Sequence, residues 1–262
     1  MSSESVCKIA LDWIIKEFNN LISKSSETNP FVIGIGSGMT IVPFIKFLAE
    51  FLESNSKGYY CVDCIPTSEQ ARHLILSNLK LNAKKPFRLG TLDEYERVSV
   101  TIDGADAVFF DKNFLIKGGG AAHCQEKIVA EASGEYVVVL AEKKKIERNL
   151  EEVSVPVEVL QFASNSVKKL FHDEFGENLL SCHIRNCPSG YGKIGPVITD
   201  NGNIILDLKF KQNLFNDPKV LDTKIRQFAG VVETGIFWRL PKKTLIVFPG
   251  DDGQVNQENF FF

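Results

Sequence analysis

The stretch FVIGIGSGMTIVPFIKFLAEFL, residues 31–52, decides the fold. Phe31 to Ile35 is a short, fully apolar run that ends in glycines, the pattern of a strand buried on both faces. Met39 to Leu52 returns to helical spacing, so a buried strand passes through a glycine turn into a helix. Upstream, Val6, Ile9, Ala10, Trp13, Ile14, Phe18, Leu21 and Ile22 recur at helical spacing and predict an amphipathic helix over about residues 4–22. Downstream, the same alternation continues. Tyr59 to Val62 reads as strand, Ser68 to Asn78 as helix, and Val98 to Ile102 as strand closed by Asp103-Gly104. Ala121 to Ala132 reads as helix and Tyr136 to Leu140 as strand. Alternating strands and helices predict an α/β, Rossmann-like domain with a mostly parallel sheet covered on both faces. Ligands of such sheets bind beyond the carboxyl ends of the strands.

The pattern changes after about residue 153. Val155 to Phe162 reads as strand, Asn165 to Phe175 as helix and Leu179 to Ile184 as strand. Val197 to Thr199 and Ile204 to Leu208 read as extended around the turn Asn201-Gly202. Pro218 to Phe228 reads as helix and Val231 to Phe237 as extended. This order approximates β-α-β-β-α-β, a ferredoxin-like α+β unit. Thr244 to Phe248 is expected to return to the first sheet. The expected domains are therefore 1–153 plus 238–262, and a smaller one over 154–237.

Composition narrows the function classes. The 262 residues carry 30 Lys+Arg and 33 Asp+Glu, a formal charge of −3, with 44% hydrophobic residues. That balance belongs to an ordinary soluble globular protein. It lacks the basic excess of a dedicated nucleic-acid or membrane-surface binder. The 20 Phe exclude intrinsic disorder. Ile41 to Leu52, the densest apolar stretch, is interrupted by Pro43, Lys46 and Glu50 and is too short for a membrane span. The start Met1-Ser2-Ser3-Glu4-Ser5 has no signal-peptide pattern, so a cytoplasmic location is expected, with Cys7, Cys61, Cys64, Cys124, Cys182 and Cys187 as thiols.

Three segments can carry chemistry. In Gly34 to Thr40, glycines and a following helix N-terminus suit a phosphate cradle, with Ser37 and Thr40 as hydroxyl donors; the alternative is a tight turn. The dinucleotide fingerprint fails at Met39, although Asp63 after the next strand keeps that option open. Asp103 and Asp106, three apart after a buried strand, suit sugar hydroxyls, a metal or proton transfer, against the plainer reading of a capped turn. In Lys117 to Lys127, three successive glycines before a helix are costly to order, which makes sense where backbone must approach a ligand. A lysine, backbone N–H groups and Glu126 together suit enolate chemistry: a carboxylate takes a proton beside a carbonyl, while cation and donors hold the oxyanion. The C-x-x-C pair Cys61 and Cys64 lies in or beside an apolar strand and reads as buried thiol rather than zinc ligand. Lys143 to Lys145 reads as a solvated face, and Phe260 to Phe262 as packed on the body or a partner.

These segments resemble ribose-5-phosphate isomerase of the type A class. The resemblance is carried by GIGSGMT (34–40), IPTSEQAR (65–72), TIDGADAV (101–108), LIKGGGAAHCQEKIVA (115–130), VPVEVLQFA (155–163), VITDNGNIILD (197–207) and GVVETGIF (230–237). It spans nearly the whole chain, and the 101–130 block is its specific part. It implies Glu126 as proton acceptor, with Lys117, Gly118, Gly119 and Gly120 stabilising the oxyanion. It implies that Asp103, Gly104, Ala105 and Asp106 bind the sugar, with Asp103 assisting ring opening. Ser37, Gly38, Met39 and Thr40 correspond to the substrate loop, and Lys8 and Lys145 to lysines that contact substrate. The pattern departs at Met39, Ala107 and Glu142, none of which is the base or the oxyanion lysine.

The activity so implied is that of an aldose–ketose isomerase interconverting ribose 5-phosphate and ribulose 5-phosphate through an enediolate. It would need no cofactor and no metal, because Lys117 and backbone donors supply the positive field. The expected partner is a small sugar phosphate, with no nucleic acid or membrane, in a homo-oligomer, a dimer or tetramer. Competing readings are a sugar-phosphate sensor domain, a coenzyme A transferase and an NAD-dependent enzyme.

Overall fold

Val6, Cys7, Ala10, Leu11, Ile14, Phe18 and Ile22 are buried along one face of helix α1 (Ser3–Ser23), the stripe that helical spacing dictates. The computed structural model describes residues 3–26, 28–54, 61–79, 87–146, 148–188, 190, 192, 194–241, 243–250 and 255–260. They pack as two units, one of residues 1–104, 125–143 and 240–262, the other of 105–124 and 144–239. Residues 105–124 and 144–153, expected with the sheet domain, pack within the second unit.

After α1 the first unit runs through β1 (Phe31–Ile35), α2 (Val42–Ser54), β2 (Val62–Pro66), α3 (Glu69–Leu79), β3 (Phe87–Leu89) and β4 (Val98–Gly104). The chain continues in the second unit as β5 (Ala107–Phe109) and β6 (Phe114–Ile116). It returns to the first within α4 (His123–Ala132), from Gln125 on, and continues as β7 (Ser133–Leu140). The second unit then adds β8 (Val155–Val159), α5 (Ser164–Phe175), β9 (Leu179–Ile184), β10 (Ile204–Phe210), α6 (Pro218–Arg226), β11 (Val231–Thr234) and β12 (Ile236–Phe237). β13 (Lys243–Pro249) and β14 (Val255–Phe260) complete the first unit's sheet.

That sheet has seven strands in the order β14-β13-β7-β4-β1-β2-β3, parallel except for β14. β1 shows why both faces are covered. Its Phe31, Ile33 and Ile35 join the core under α1, α2 and α3, while Val32 joins Val129 of α4 on the other face. β13 returns to pair with β7, as expected. β2 runs on to Pro66 rather than ending at Val62, because the Asp63 carboxylate is satisfied inside the sheet; residues 59 and 60 lie outside the described residues.

The second unit carries an antiparallel sheet in the order β11-β8-β10-β9, the ferredoxin-like arrangement. Val167, Phe171 and Phe175 of α5 and Leu221 and Ile225 of α6 fill its core. Sequence spacing missed the β5–β6 hairpin, whose strands of three residues are too short for a period to register. It turns through Asn113 at φ +50° and stacks Phe109 on Phe114 at 4.7 Å. The extended run 231–237 divides at Gly235 into strands of different sheets. A Cβ there would sit 2.2 Å from the Lys117 carbonyl, which leaves room only for glycine.

Candidate active site

In the first unit, the loop after β1 and Asp103 lie where β1 and β4 end side by side, with Ile35 opposite Ile102. Asp103 is buried at the end of β4, and its Oδ1 accepts from the Gly104 N–H at 2.7 Å. Two glycines opposite, Gly34 on β1 and Gly36 just past its end, make room for packing. A Cβ on Gly34 would meet Thr101 Oγ1 at 2.3 Å, and one on Gly36 would meet Asp103 Oδ1 at 2.1 Å. Gly38 differs: its φ is +91°, and nothing occupies the space of its missing Cβ. The loop is tied down by the next segment. Ser37 Oγ donates to Ser68 Oγ at 2.7 Å, and the Gly38 N–H donates to Gln70 Oε1 at 3.0 Å. Ser68 in turn caps α3 by accepting from the Ala71 N–H at 3.0 Å. The Thr40 carbonyl accepts from Cys7 Sγ at 3.0 Å, and burial pushes that thiol up to about 11. Met39 is 76% exposed and Lys8 is exposed on α1, so neither is held by the core. Glu126 lies in the first turn of α4 and is only 5% exposed. The helix N-terminus is a favourable place for its negative charge.

The dinucleotide option ends at Asp63. Arg88 grips its carboxylate through Nε at 2.9 Å and Nη2 at 3.1 Å, and the Tyr95 hydroxyl bonds to Oδ2. Burial and that hydrogen bond push the Tyr95 hydroxyl up to about 12. A carboxylate so engaged is not presented to a ribose. A nearby cavity of about 230 Å³, lined by Ile65, Pro66, Leu92 and Val129 among others, is apolar and touches none of the expected site residues.

In the second unit, the triple glycine is a pinned turn. Gly118 has φ +108°, and a Cβ there would lie 2.6 Å from the His123 ring. Its carbonyl accepts from the Ala121 N–H at 2.9 Å, which closes the turn. The Gly119 N–H donates to Asp106 Oδ2 at 2.6 Å, a pairing that sequence spacing did not indicate. His123 is buried, and its Nε2 lies 3.2 Å from the Glu233 carbonyl; because a carbonyl only accepts, Nε2 carries the proton. Lys117 is 5% exposed, its N–H donates to the Gly235 carbonyl at 3.0 Å, and its Nζ lies 5.6 Å from the centre of the Phe237 ring. Ala105 is buried, Gly120 has open space at its Cβ position, and Lys145 is half-buried in a single helical turn.

Sequence reasoning missed Gln70, Arg185 and Asp207, which hold the loops from a distance in the chain. The six cysteines are free thiols, and no cluster of metal-ligating side chains occurs among the described residues. Among the same residues, no helix is long and apolar enough to cross a membrane.

Comparison with known proteins settles what this arrangement belongs to. The family model for ribose 5-phosphate isomerase A (phosphoriboisomerase A) matches residues 63–251. The chain belongs to the ribose 5-phosphate isomerase A family. A ribose-5-phosphate isomerase of Saccharomyces cerevisiae (strain ATCC 204508 / S288c) is 36% identical over 231 residues, covering 86% of this chain and 83% of the relative. The Homo sapiens protein is 37% identical, covering 87% of this chain and 67% of its own length. The solved structure of ribose 5-phosphate isomerase A from Methanocaldococcus jannaschii superposes with a TM-score of 0.77 at 34% identity, covering 98% of this chain and 97% of that one. A D-ribose-5-phosphate isomerase in complex with phospho-erythronic acid superposes at 0.76 with 30% identity, covering 98% and 97%. As a phosphoriboisomerase A, the chain is an isomerase, and the sensor, transferase and dehydrogenase readings fall away.

Proposed function

We propose that the enzyme interconverts D-ribose 5-phosphate and D-ribulose 5-phosphate, with Glu126 as the base that moves hydrogen between C2 and C1. The observation that carries the assignment is the burial of two opposite charges, Lys117 and Glu126, at either end of the glycine segment. A buried charge is costly and persists where a function needs it.

In the forward direction, Asp103 assists opening of the sugar ring. Glu126 takes the proton from C2 of the open-chain aldose. The released electron pair forms the C1–C2 double bond, and the aldehyde oxygen becomes the enediolate oxygen. Lys117 and the backbone N–H groups of Gly118 and Gly120 hold that negative charge, the Gly119 N–H being engaged by Asp106. A proton passes from the C2 hydroxyl to the C1 oxygen with help from Asp103. Glu126 then returns its proton to C1, leaving the ketone at C2. The phosphate rests on Ser37 to Thr40, with Lys8 and Lys145 as its cations, and Gly104, Ala105 and Asp106 lie along the sugar. A homo-oligomer, dimer or tetramer, in the cytoplasm completes the reading; the fully exposed Phe162 supports an interface.

The test is Glu126→Gln, followed by proton NMR of ribose 5-phosphate in deuterated water. A positioned base contributes roughly 10²–10⁴-fold, so turnover and deuterium incorporation should fall by that factor while phospho-erythronic acid still binds. Near-normal turnover would remove Glu126 from the role.

A further inference from the structure

We propose that Arg185 is a positioning residue for isomerisation: held by Asp207, its guanidinium sets and polarises the peptide units of the Gly118–Gly120 turn before substrate arrives. The inference rests on the reading of that turn as the oxyanion-holding part.

Arg185 directly follows β9, and its backbone is held on both sides. Its N–H donates to the Ile205 carbonyl at 2.9 Å, and its carbonyl accepts from the Val197 N–H at 2.9 Å. Asp207, on β10, grips the guanidinium in a fork, from Nε at 2.8 Å and Nη2 at 2.5 Å. That leaves Nη1 aimed at the turn. It donates to the Gly118 carbonyl at 2.7 Å and to the Gly119 carbonyl at 3.0 Å. Each guanidinium nitrogen therefore has a partner, and only the planar three-nitrogen group can serve the carboxylate and both carbonyls together.

The consequences follow from peptide geometry. The Gly118–Gly119 peptide unit has a cation on its oxygen and, through Asp106, an anion on its N–H. Both ends oppose rotation of that unit. The Gly119–Gly120 unit has the same guanidinium on its oxygen. No peptide bond here is cis, so the Gly120 N–H points away from Arg185. A carbonyl that accepts from a cation makes the N–H of the same unit a stronger donor. Three glycines in a row have the greatest backbone freedom to lose, and this contact removes it in advance. The turn thus meets a developing oxyanion without having to reorganise, which is the condition under which such donors lower a barrier.

The experiment compares Arg185→Ala, Arg185→Lys and Asp207→Asn with the parent enzyme. Kinetics with ribose 5-phosphate, calorimetric binding of phospho-erythronic acid and thermal unfolding are measured on each. Arg185→Ala should lower kcat about 10²-fold with KM changed by less than about threefold, and should weaken phospho-erythronic acid binding. Millimolar guanidinium should restore part of its turnover, and Arg185→Lys should fall between. If Arg185→Ala does not fold, the kcat-against-KM split is read from Arg185→Lys and Asp207→Asn. A folded Arg185 variant with parental kcat overturns the proposal. So does a loss that guanidinium does not relieve and that tracks unfolding. Lys117→Ala separates the two ideas. If it too keeps full turnover, the oxyanion reading of the turn fails; if it collapses while the Arg185 variants stay active, only the role of Arg185 fails.

Discussion

The two glycine-rich loops look alike in sequence and do opposite things. In Gly34 to Gly38, two of the three glycines are absences made for a neighbour: Gly34 yields space to Thr101 and Val129, and Gly36 to Asp103. In Gly118 to Gly120, the backbone itself is what is presented. Its carbonyls are taken by Arg185, one N–H by Asp106, and Gly118 adopts a φ that other residues avoid. Glycine is thus a packing residue in the first loop and a donor scaffold in the second. The difference lies in what holds the backbone: in the second loop, side chains distant in the sequence engage two carbonyls and an N–H of the glycines themselves.

Replacing Gly36 with Ala should have the largest effect. Its Cβ would stand 2.1 Å from Asp103 Oδ1 and 2.6 Å from Asp103 Cα, and the backbone cannot swing aside. A cost of about 3 kcal/mol is expected in urea unfolding, with activity lost because Asp103 is displaced. A variant that unfolds like the parent but is inactive would break the comparison, since Gly36 would then face ligand rather than packing. Gly119→Ala should show the reverse pattern. Its Cβ would press on the end of the Asp106 side chain at 2.8 Å, which can rotate away. Stability should change by less than about 1 kcal/mol, while kcat falls about 10²-fold as the Asp106 tether is disturbed. A stability loss without a kcat loss would make the second loop a packing device like the first.

This contrast also marks how far sequence could reach. The parallel sheet was legible because buried strands such as Phe31 to Ile35 and helices such as α1 carry their periods openly. The split β-α-β-β-α-β order of the second unit was legible for the same reason. The β5–β6 hairpin was not, because three residues do not make a period. At the site, the KGGG segment and Glu126 could be picked out from local chemistry and resemblance, whereas the pairing of Asp106 with the glycine turn could not. The burial of Asp63 by Arg88 and Tyr95 could not, since those partners come from 25 and 32 residues away. Arg185 was invisible for a stronger reason. It reaches the turn across 67 residues, and in sequence it is one arginine after an ordinary strand.

Ser68→Ala sharpens the comparison at smaller scale. It removes the α3 cap and the acceptor of the Ser37 hydroxyl, both side-chain supports of the first loop. About 1 kcal/mol of stability should be lost, measured by thermal unfolding. KM for ribose 5-phosphate should rise more than kcat falls, because this loop is read as holding phosphate. A change confined to kcat would assign the first loop to the chemical step.

Cys7→Ala is the finest probe, because its thiol is the link from α1 to the Thr40 carbonyl at the far end of that loop. A thiol is a weak donor, so at pH 7 the loss should be under about 1 kcal/mol. The signature lies at high pH. The folded thiol ionises near 11 against an ordinary 9.0, so the fold favours the neutral form. Its contribution is complete below pH 9.0 and is lost as the pH rises toward 11, because the unfolded chain releases the proton first. Unfolding followed from pH 7 to 11 should therefore show the parent losing stability faster than Cys7→Ala above pH 9. Parallel curves would mean that neither state holds the thiol proton more tightly than the other, so that burial beneath α1 does not favour the neutral thiol.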